Sequence, residues 1–468
     1  MPDRRPLAVV TNWRDLEHPQ AGGAELVCDR LAQRLVQDGY RVVLLAAAVA
    51  GRPASESVNG YVVKRRGGQF SVYAWALVWL LLHRRAVTLV VDSQNGIPFF
   101  SPLVLRRTTV CLLLLHHVHQ DQFSLYFPRP VAAFGRFLEG PVSRRVYGER
   151  AILAVSPSTR QGVRQILRLR GAITVTPPGW EVTIDLDEQR PAKTTHPSLV
   201  SVGRLVPHKR TDLTIRAFAQ LRGQLPDLTL DVVGGGTELD ALRRLAEELG
   251  VAHAVRFRPQ CSNEERDAVL AASWLCINAS EGEGWGISVI EANALGTPVL
   301  AYARPGLRDS IHHGQNGWLI DDDRELAEAA APLLGSLSDA RSRESFVRSC
   351  HEWAMRFTWE EMGRRVAEAA AIESRRLTLG HTDRRQQADL STVVRIPASL
   401  VPLGWDPRLR DGDVLVRSGS TIELYLPGTD TAAAARVLER LDVPHATTDP
   451  RIQLRVATRR DHLAPLAG

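Results

Sequence analysis

The sequence predicts an α/β protein of two Rossmann-like domains with a small α+β appendage at its C-terminal end. Three observations predict it. A strand, a glycine-bearing loop, a helix and a second strand follow one another within residues 7–49. The same grammar restarts after a polar, proline-bearing stretch at 185–198, and the composition changes again after Thr378. At 468 residues the chain exceeds what one hydrophobic core supports.

Each element follows from its pattern. LAVVTN at 7–12 is a short apolar strand. A loop carrying Gly22 and Gly23 leads into a helix with Leu26, Val27, Leu31, Leu35 and Val36 at helical spacing, ended by Gly39. RVVLLAAAV is the next strand, completing a β-α-β unit whose glycine loop falls where such folds hold a phosphate. TLVVDSQNG (88–96) and VCLLLLHHVHQ (110–120) are further strands with polar C-terminal ends, which puts His116, His117 and His119 on the ligand-binding edge. Three histidines could suggest a metal, but no Cys, Asp or Glu stands at ligand spacing, so no metal is expected. The first domain is placed at 1–187.

The second domain, at 196–350, repeats strand and helix six or so times. Arg204 and Lys209 follow its first strand, where two cations could share a diphosphate. Gly234 and Gly236 follow its second strand. Residues 351–376 are closing helices returning to the first domain, and residues 395–460 form a small ββαβ appendage with no catalytic motif.

Residues 280–298 (SEGEGWGISVIEANALGTP) organise the second domain. Gly284-Trp285-Gly286 makes a turn into a helix whose first amides suit an anion. Glu283 lies on the turn and Glu291 inside the helix. Carboxylates beside an anion site repel the anion, so accepting hydrogen bonds from sugar hydroxyls is their expected work.

Composition narrows the classes. Hydrophobic residues make up 44% and charged residues 24%, as in a globular protein. Net charge is +6, and only three of the 58 basic residues are lysine (Lys64, Lys193, Lys209). No basic run is interleaved with aromatics, so nucleic acid is not an expected partner. Five scattered cysteines without a CxxC read as reduced thiols, and Met1 leads directly into charged residues without a signal peptide. A cytoplasmic location is expected. Residues 72–82 (VYAWALVWLLL) are too few to span a membrane, which needs about 20 apolar residues. A buried helix is the expectation. Trp75, Trp79 and the following His83, Arg84 and Arg85 also suit a peripheral contact at the inner membrane face.

Several segments in order resemble the retaining glycosyltransferases of the GT-B type, family four. These are GGAE at 22–25, HHVH at 116–119, AVSPST at 154–159, TPPGW at 176–180, GRLVPHK at 203–209 and EGWGISVIEANALGTPV at 283–299. Arg210 and Pro259 stand where that family often has glycine. The resemblance implies two domains facing a cleft and a hexosyltransferase. It implies a nucleotide-diphosphate sugar donor, a carbohydrate or lipid-linked acceptor, retention of configuration, and no metal or other cofactor. It implies that Arg204 and Lys209 neutralise the diphosphate and that Glu291 holds the ribose. Glu283 and the amides of Gly286, Ile287 and Ser288 would hold sugar and phosphate. Gly22, Gly23, Gly234 and Gly236 would line the donor site, and His116 would touch the donor sugar, with His117 the competing candidate because adjacent strand residues face opposite ways. The alternatives are a nucleotide-sugar epimerase or hydrolase on the same architecture, and a non-catalytic nucleotide-sugar-binding partner protein.

Overall fold

Strands that are apolar throughout belong inside a parallel sheet covered on both faces. The computed structural model bears this out; it describes residues 5–184, 191–321 and 325–379, and most of 391–457. Part of the expected linker (185–190) and most of the polar stretch before the appendage (380–390) lie outside the described residues.

The first sheet has eight strands among the described residues. They are β1 (Leu7–Thr11), β2 (Arg41–Ala46), β3 (Ser55–Val58), β4 (Tyr61–Arg65), β5 (Val87–Gln94), β6 (Val110–Leu115), β7 (Ile152–Ala154) and β8 (Ile173–Val175). Their order is β3-β4-β2-β1-β5-β6-β7-β8, and every pairing is parallel except β3 with β4. That hairpin went unread in the sequence, although its turn carries Asn59-Gly60, both with positive φ (48° and 87°), the signature of a tight hairpin turn.

The second sheet has six parallel strands: β9 (Ser198–Val202), β10 (Thr229–Val233), β11 (Val255–Arg258), β12 (Leu275–Asn278), β13 (Val299–Tyr302) and β14 (Gly317–Ile320). Their order is β11-β10-β9-β12-β13-β14. In each sheet the order reverses beside the first strand, between β1 and β5 and between β9 and β12. Such switch points leave a crevice at the carboxyl ends of the strands, where α/β sheets bind ligands.

Two chain passages join the domains. The helix Ala340–Ala354 packs in the second domain, with the Trp353 indole donating to the Ser310 carbonyl at 2.9 Å. The helix Trp359–Leu379 returns to the first, where Met362, Val366 and Ala369 enter the core cluster of Val10, Leu31 and Leu114. The return therefore begins after residue 354, several residues later than the expected start at 351. Gly179 on the other passage lies flat against this crossing; a Cβ there would sit 2.3 Å from the Trp359 nitrogen. Trp180 bonds the Ala354 carbonyl at 2.8 Å.

The appendage differs from the ββαβ expectation. It is a four-stranded antiparallel sheet, β15 (Ser391–Pro397), β16 (Val414–Ser418), β17 (Thr421–Pro427) and β18 (Gln453–Ala457), ordered β16-β17-β15-β18, with the helix Thr431–Arg440. The extra strand β15 is central. It buries Thr392, Val394 and Ile396 on one face, an alternation that the polar composition around it concealed.

Candidate functional site

The site forms where the two switch points face each other. From the second domain, the loop after β9 carries Arg204 and Lys209. It is braced by the loop after β10: the Gly203 amide donates to Val233 at 3.0 Å and the Leu205 amide to Gly235 at 2.8 Å. Gly234 and Gly236 are the points of contact. A Cβ on either would lie 2.1–2.2 Å from the carbonyl oxygens of Gly203 and Leu205. Their smallness thus serves loop-on-loop packing beside the cations. Arg210 adopts the left-handed region (φ 49°) just before the helix Thr211–Arg222, a conformation that a glycine here would adopt without strain.

The Lys209 ammonium is bonded to Glu283, which also accepts the Ser280 hydroxyl at 2.8 Å. Burial alone would raise the Glu283 carboxyl, but the Lys209 charge and these bonds hold it below its ordinary range. Gly286 (φ 92°) starts the helix Ile287–Ala294, whose first-turn amides at Ile287 and Ser288 lack intrahelical acceptors. Glu291 is 6% exposed on that helix; burial raises its pKa, opposed by the Arg266 guanidinium 3.7 Å away.

From the first domain, Gly22 and Gly23 start the helix Gly23–Gln37 and lie directly against these groups. A Cβ on Gly22 would be 3.6 Å from the Arg204 Nε, and one on Gly23 would be 3.0 Å from the Ile287 Cδ1. Gly284 presses on the carbonyl of His116, where a Cβ would come within 1.9 Å. The glycine loop, the cations, the helix start and the histidine strand therefore converge on one cleft.

The two histidine candidates separate. His116 is buried, with its Nε2 2.9 Å from the Ser93 hydroxyl and 4.0 Å from the Cys28 sulfur, both in its own domain. Burial lowers its pKa to about 4, so the ring is neutral. His117 faces the second domain: its Nε2 lies 3.6 Å from where a Gly282 Cβ would be, and it feels the charges of Glu283 and Lys209. Its Nδ1 is buried without a hydrogen-bond partner. The ring of His119 turns back onto the His117 carbonyl at 3.0 Å.

Three residues that shape the site were not singled out in the sequence. Glu25, at the capping position within GGAE, accepts the Gly22 amide at 2.7 Å and the Arg14 guanidinium at 3.0 Å. Arg14 is 4% exposed and close enough to Arg204 for their charges to interact. Glu139 is fully buried and accepts the His119 amide and the Gln120 side chain, each at 2.7 Å. The lone acid in the apolar run RFLEGPV was its available signal; Arg14 had none. Across the cleft, Tyr126 bonds His208, the Ser158 amide donates to Asp309 at 2.9 Å, and the Thr159 hydroxyl donates to the Gly284 carbonyl at 3.3 Å.

Comparison with known proteins gives matches in both domains. The profile described as "Glycosyltransferase Family 4" matches residues 21–183, and "Glycosyl transferases group 1" matches residues 183–353. A D-inositol 3-phosphate glycosyltransferase of Nocardia farcinica is 34% identical over 412 residues, covering 78% of this chain and 90% of its own. A GDP-mannose-dependent alpha-(1-6)-phosphatidylinositol monomannoside mannosyltransferase of Mycolicibacterium smegmatis is 35% identical over 182 residues, 37% of this chain; the match spans 47%, about half, of that relative's length. Among solved structures, sucrose-phosphate synthase of Thermosynechococcus elongatus aligns over 81% of this chain and 100% of its own with a TM-score of 0.66 at 20% identity, a likeness of fold.

Proposed function

The chain belongs to glycosyltransferase family 4, of the two-domain GT-B fold, and from that premise we propose that it moves a hexose from a nucleotide-diphosphate sugar to a carbohydrate or lipid-linked acceptor with retention of configuration. The observation that carries the donor assignment is the convergence of Arg204, Lys209 and the start of the helix Ile287–Ala294 on the Gly22-Gly23 loop.

The reaction breaks the bond between the anomeric carbon and the donor phosphate and joins that carbon to an acceptor hydroxyl. Negative charge grows on the leaving diphosphate. Arg204 and Lys209, with the Ile287 and Ser288 amides, stabilise that charge where it develops. These groups supply the neutralisation without a metal ion. Donor binding frees Lys209 from Glu283, leaving Glu283 to accept hydrogen bonds from the sugar. Glu291 holds the ribose, braced by Arg266. His117 presents its Nε2, the ring atom that faces the second domain, to the sugar, and His116 stays at the edge as a neutral spacer on Ser93. The acceptor proton passes to the departing diphosphate oxygen, in same-face attack. Closing the cleft keeps water from competing.

The test is incubation with a panel of nucleotide sugars and an acceptor panel, with and without a chelator, reading product anomers by NMR. An α-linked product from an α-linked donor that survives chelation supports the reading. An inverted product, or activity lost to the chelator and restored by a divalent ion, overturns the corresponding part.

A further inference from the structure

We propose that Arg14 is an anion-binding residue on the first-domain wall of the cleft, and that it and Arg204 take one phosphoryl group between them. Arg14 lies just beyond β1, on the loop that runs from the carboxyl end of that strand to the helix Gly23–Gln37. A buried arginine that serves only the fold reaches inner acceptors with its terminal fork as well as its Nε. Arg65 shows the pattern: it is 3% exposed, with its Nε on Asp15 at 2.5 Å and its Nη1 on Glu56 at 2.6 Å and on the Pro53 carbonyl at 3.2 Å. Arg14 is almost as deeply placed, at 4%. Yet only its Nε finds an acceptor, Glu25 at 3.0 Å, and neither terminal nitrogen has a hydrogen-bond partner among the described residues.

The neighbours fix this guanidinium without closing its fork. Its central carbon sits over the Trp13 ring, 4.2 Å from the centroid. Glu25 does not receive it bidentately, because the second carboxylate oxygen already accepts the Gly22 amide at 2.7 Å. The other acids of the loop are engaged elsewhere: Asp15 pairs with Arg65, and Glu17 with Arg52.

The opposite wall brings a second guanidinium. The Arg204 Nε lies 3.6 Å from where a Gly22 Cβ would be, and Arg204 makes no ion pair among the described residues. Arg14 and Arg204 therefore flank Gly22 and Glu25 with one carboxylate between them, and their charges repel. One positive charge is left over. A terminal phosphoryl group complements this: it offers three oxygens to two planar forks, where a carboxylate offers two. Bound between the walls, it offsets their repulsion. The diphosphate left when the sugar departs carries such a group, and so does a phosphorylated acceptor. That either one is a substrate rests on the transferase reading; the anion site does not.

The full chain is titrated by calorimetry with UDP, GDP and ADP, and with inorganic phosphate before and after saturation with the nucleoside diphosphate that binds. Arg14→Gln should weaken binding of one of these anions roughly tenfold or more, the usual loss for a hydrogen bond between charged groups. Arg14→Lys, which keeps the charge beside Glu25 and gives up the fork, should fall between. A loss confined to the nucleoside diphosphate assigns the leaving diphosphate to Arg14. A loss of phosphate binding by the chain already saturated with nucleoside diphosphate assigns an acceptor phosphate to it. Undiminished affinity of Arg14→Gln for both anions, even with a lowered melting temperature, makes Arg14 a structural partner of Glu25 and overturns the proposal. If Arg14→Gln does not fold, Arg14→Lys decides, and an affinity equal to wild type overturns it. Failure of wild type to bind either anion overturns it as well. Phosphate binding that depends on Arg14, in a chain that binds no nucleoside diphosphate, keeps the anion site and removes the transferase reading instead.

Discussion

Lys209 and Glu283 neutralise each other inside the cleft, so a donor must separate them to use either. Two substitutions report on this. Lys209→Ala should lower kcat by about 10²–10³, the usual loss when a group stabilising transition-state charge is removed, with an unchanged far-UV spectrum. Glu283→Gln should tighten nucleoside diphosphate binding severalfold in titration calorimetry, because Lys209 is released, while transfer falls. Glu139 makes a prediction about pH. Burial raises its carboxyl from 4.5 to about 7, so the folded state holds a proton that the unfolded chain releases. Its contribution is fully present below about pH 4.5 and lost as pH rises through about 7, a swing of roughly 3 kcal/mol. Denaturation at pH 5 and pH 8 should show the stability of wild type falling relative to that of Glu139→Gln as pH rises; a difference between the two that does not change with pH would contradict the assignment. The histidines mark the limit of sequence at this scale. His116 and His117 follow the end of β6 and point apart, but which ring faces the donor side depends on how the domains dock, and no local pattern encodes that. Glu139 reaches a loop twenty residues away within its own domain, a tertiary contact that no local pattern encodes either.

Elements were legible where periodicity and glycine agreed. The helix from Gly23, the helix from Ile287 and the strands feeding them follow directly from apolar spacing and a glycine start. The hairpin of β3 and β4 was readable from Asn59-Gly60, and β15 from Thr392, Val394 and Ile396, but polar neighbours hid both. The role of Gly284 was not readable, because its reason is a backbone in the other domain. Gly284→Ala should force the His116 strand and the donor loop apart. An overpacking cost of about 1–3 kcal/mol is expected, read as a lower melting temperature and a transfer rate at least tenfold down. An alanine variant with full activity would mean that this contact is not maintained in the working state.

At the scale of the whole molecule, two sheets each reverse their strand order beside their first strand, and the reversals face one another. That arrangement places glycine-bearing loops on both walls of one cleft, with Arg204 and Lys209 between them. Gly179 and Trp359 mark where the two chain passages cross. The appendage has its own core of Val394, Ile396, Leu424, Leu426 and Leu438, in a cluster separate from both sheets. A chain ending at residue 379 should therefore fold and keep nucleotide binding; loss of both, seen by calorimetry, would make the appendage part of the catalytic unit. The donor cleft itself is tested most directly by melting the full chain with UDP, GDP and ADP in turn. One of them, at about one hundred times its Kd, should stabilise the fold by about 2.7 kcal/mol, and Lys209→Ala should abolish most of that gain. If none of the three shifts the melting point, or the shift survives in Lys209→Ala undiminished, the cleft between the switch points is not the donor site.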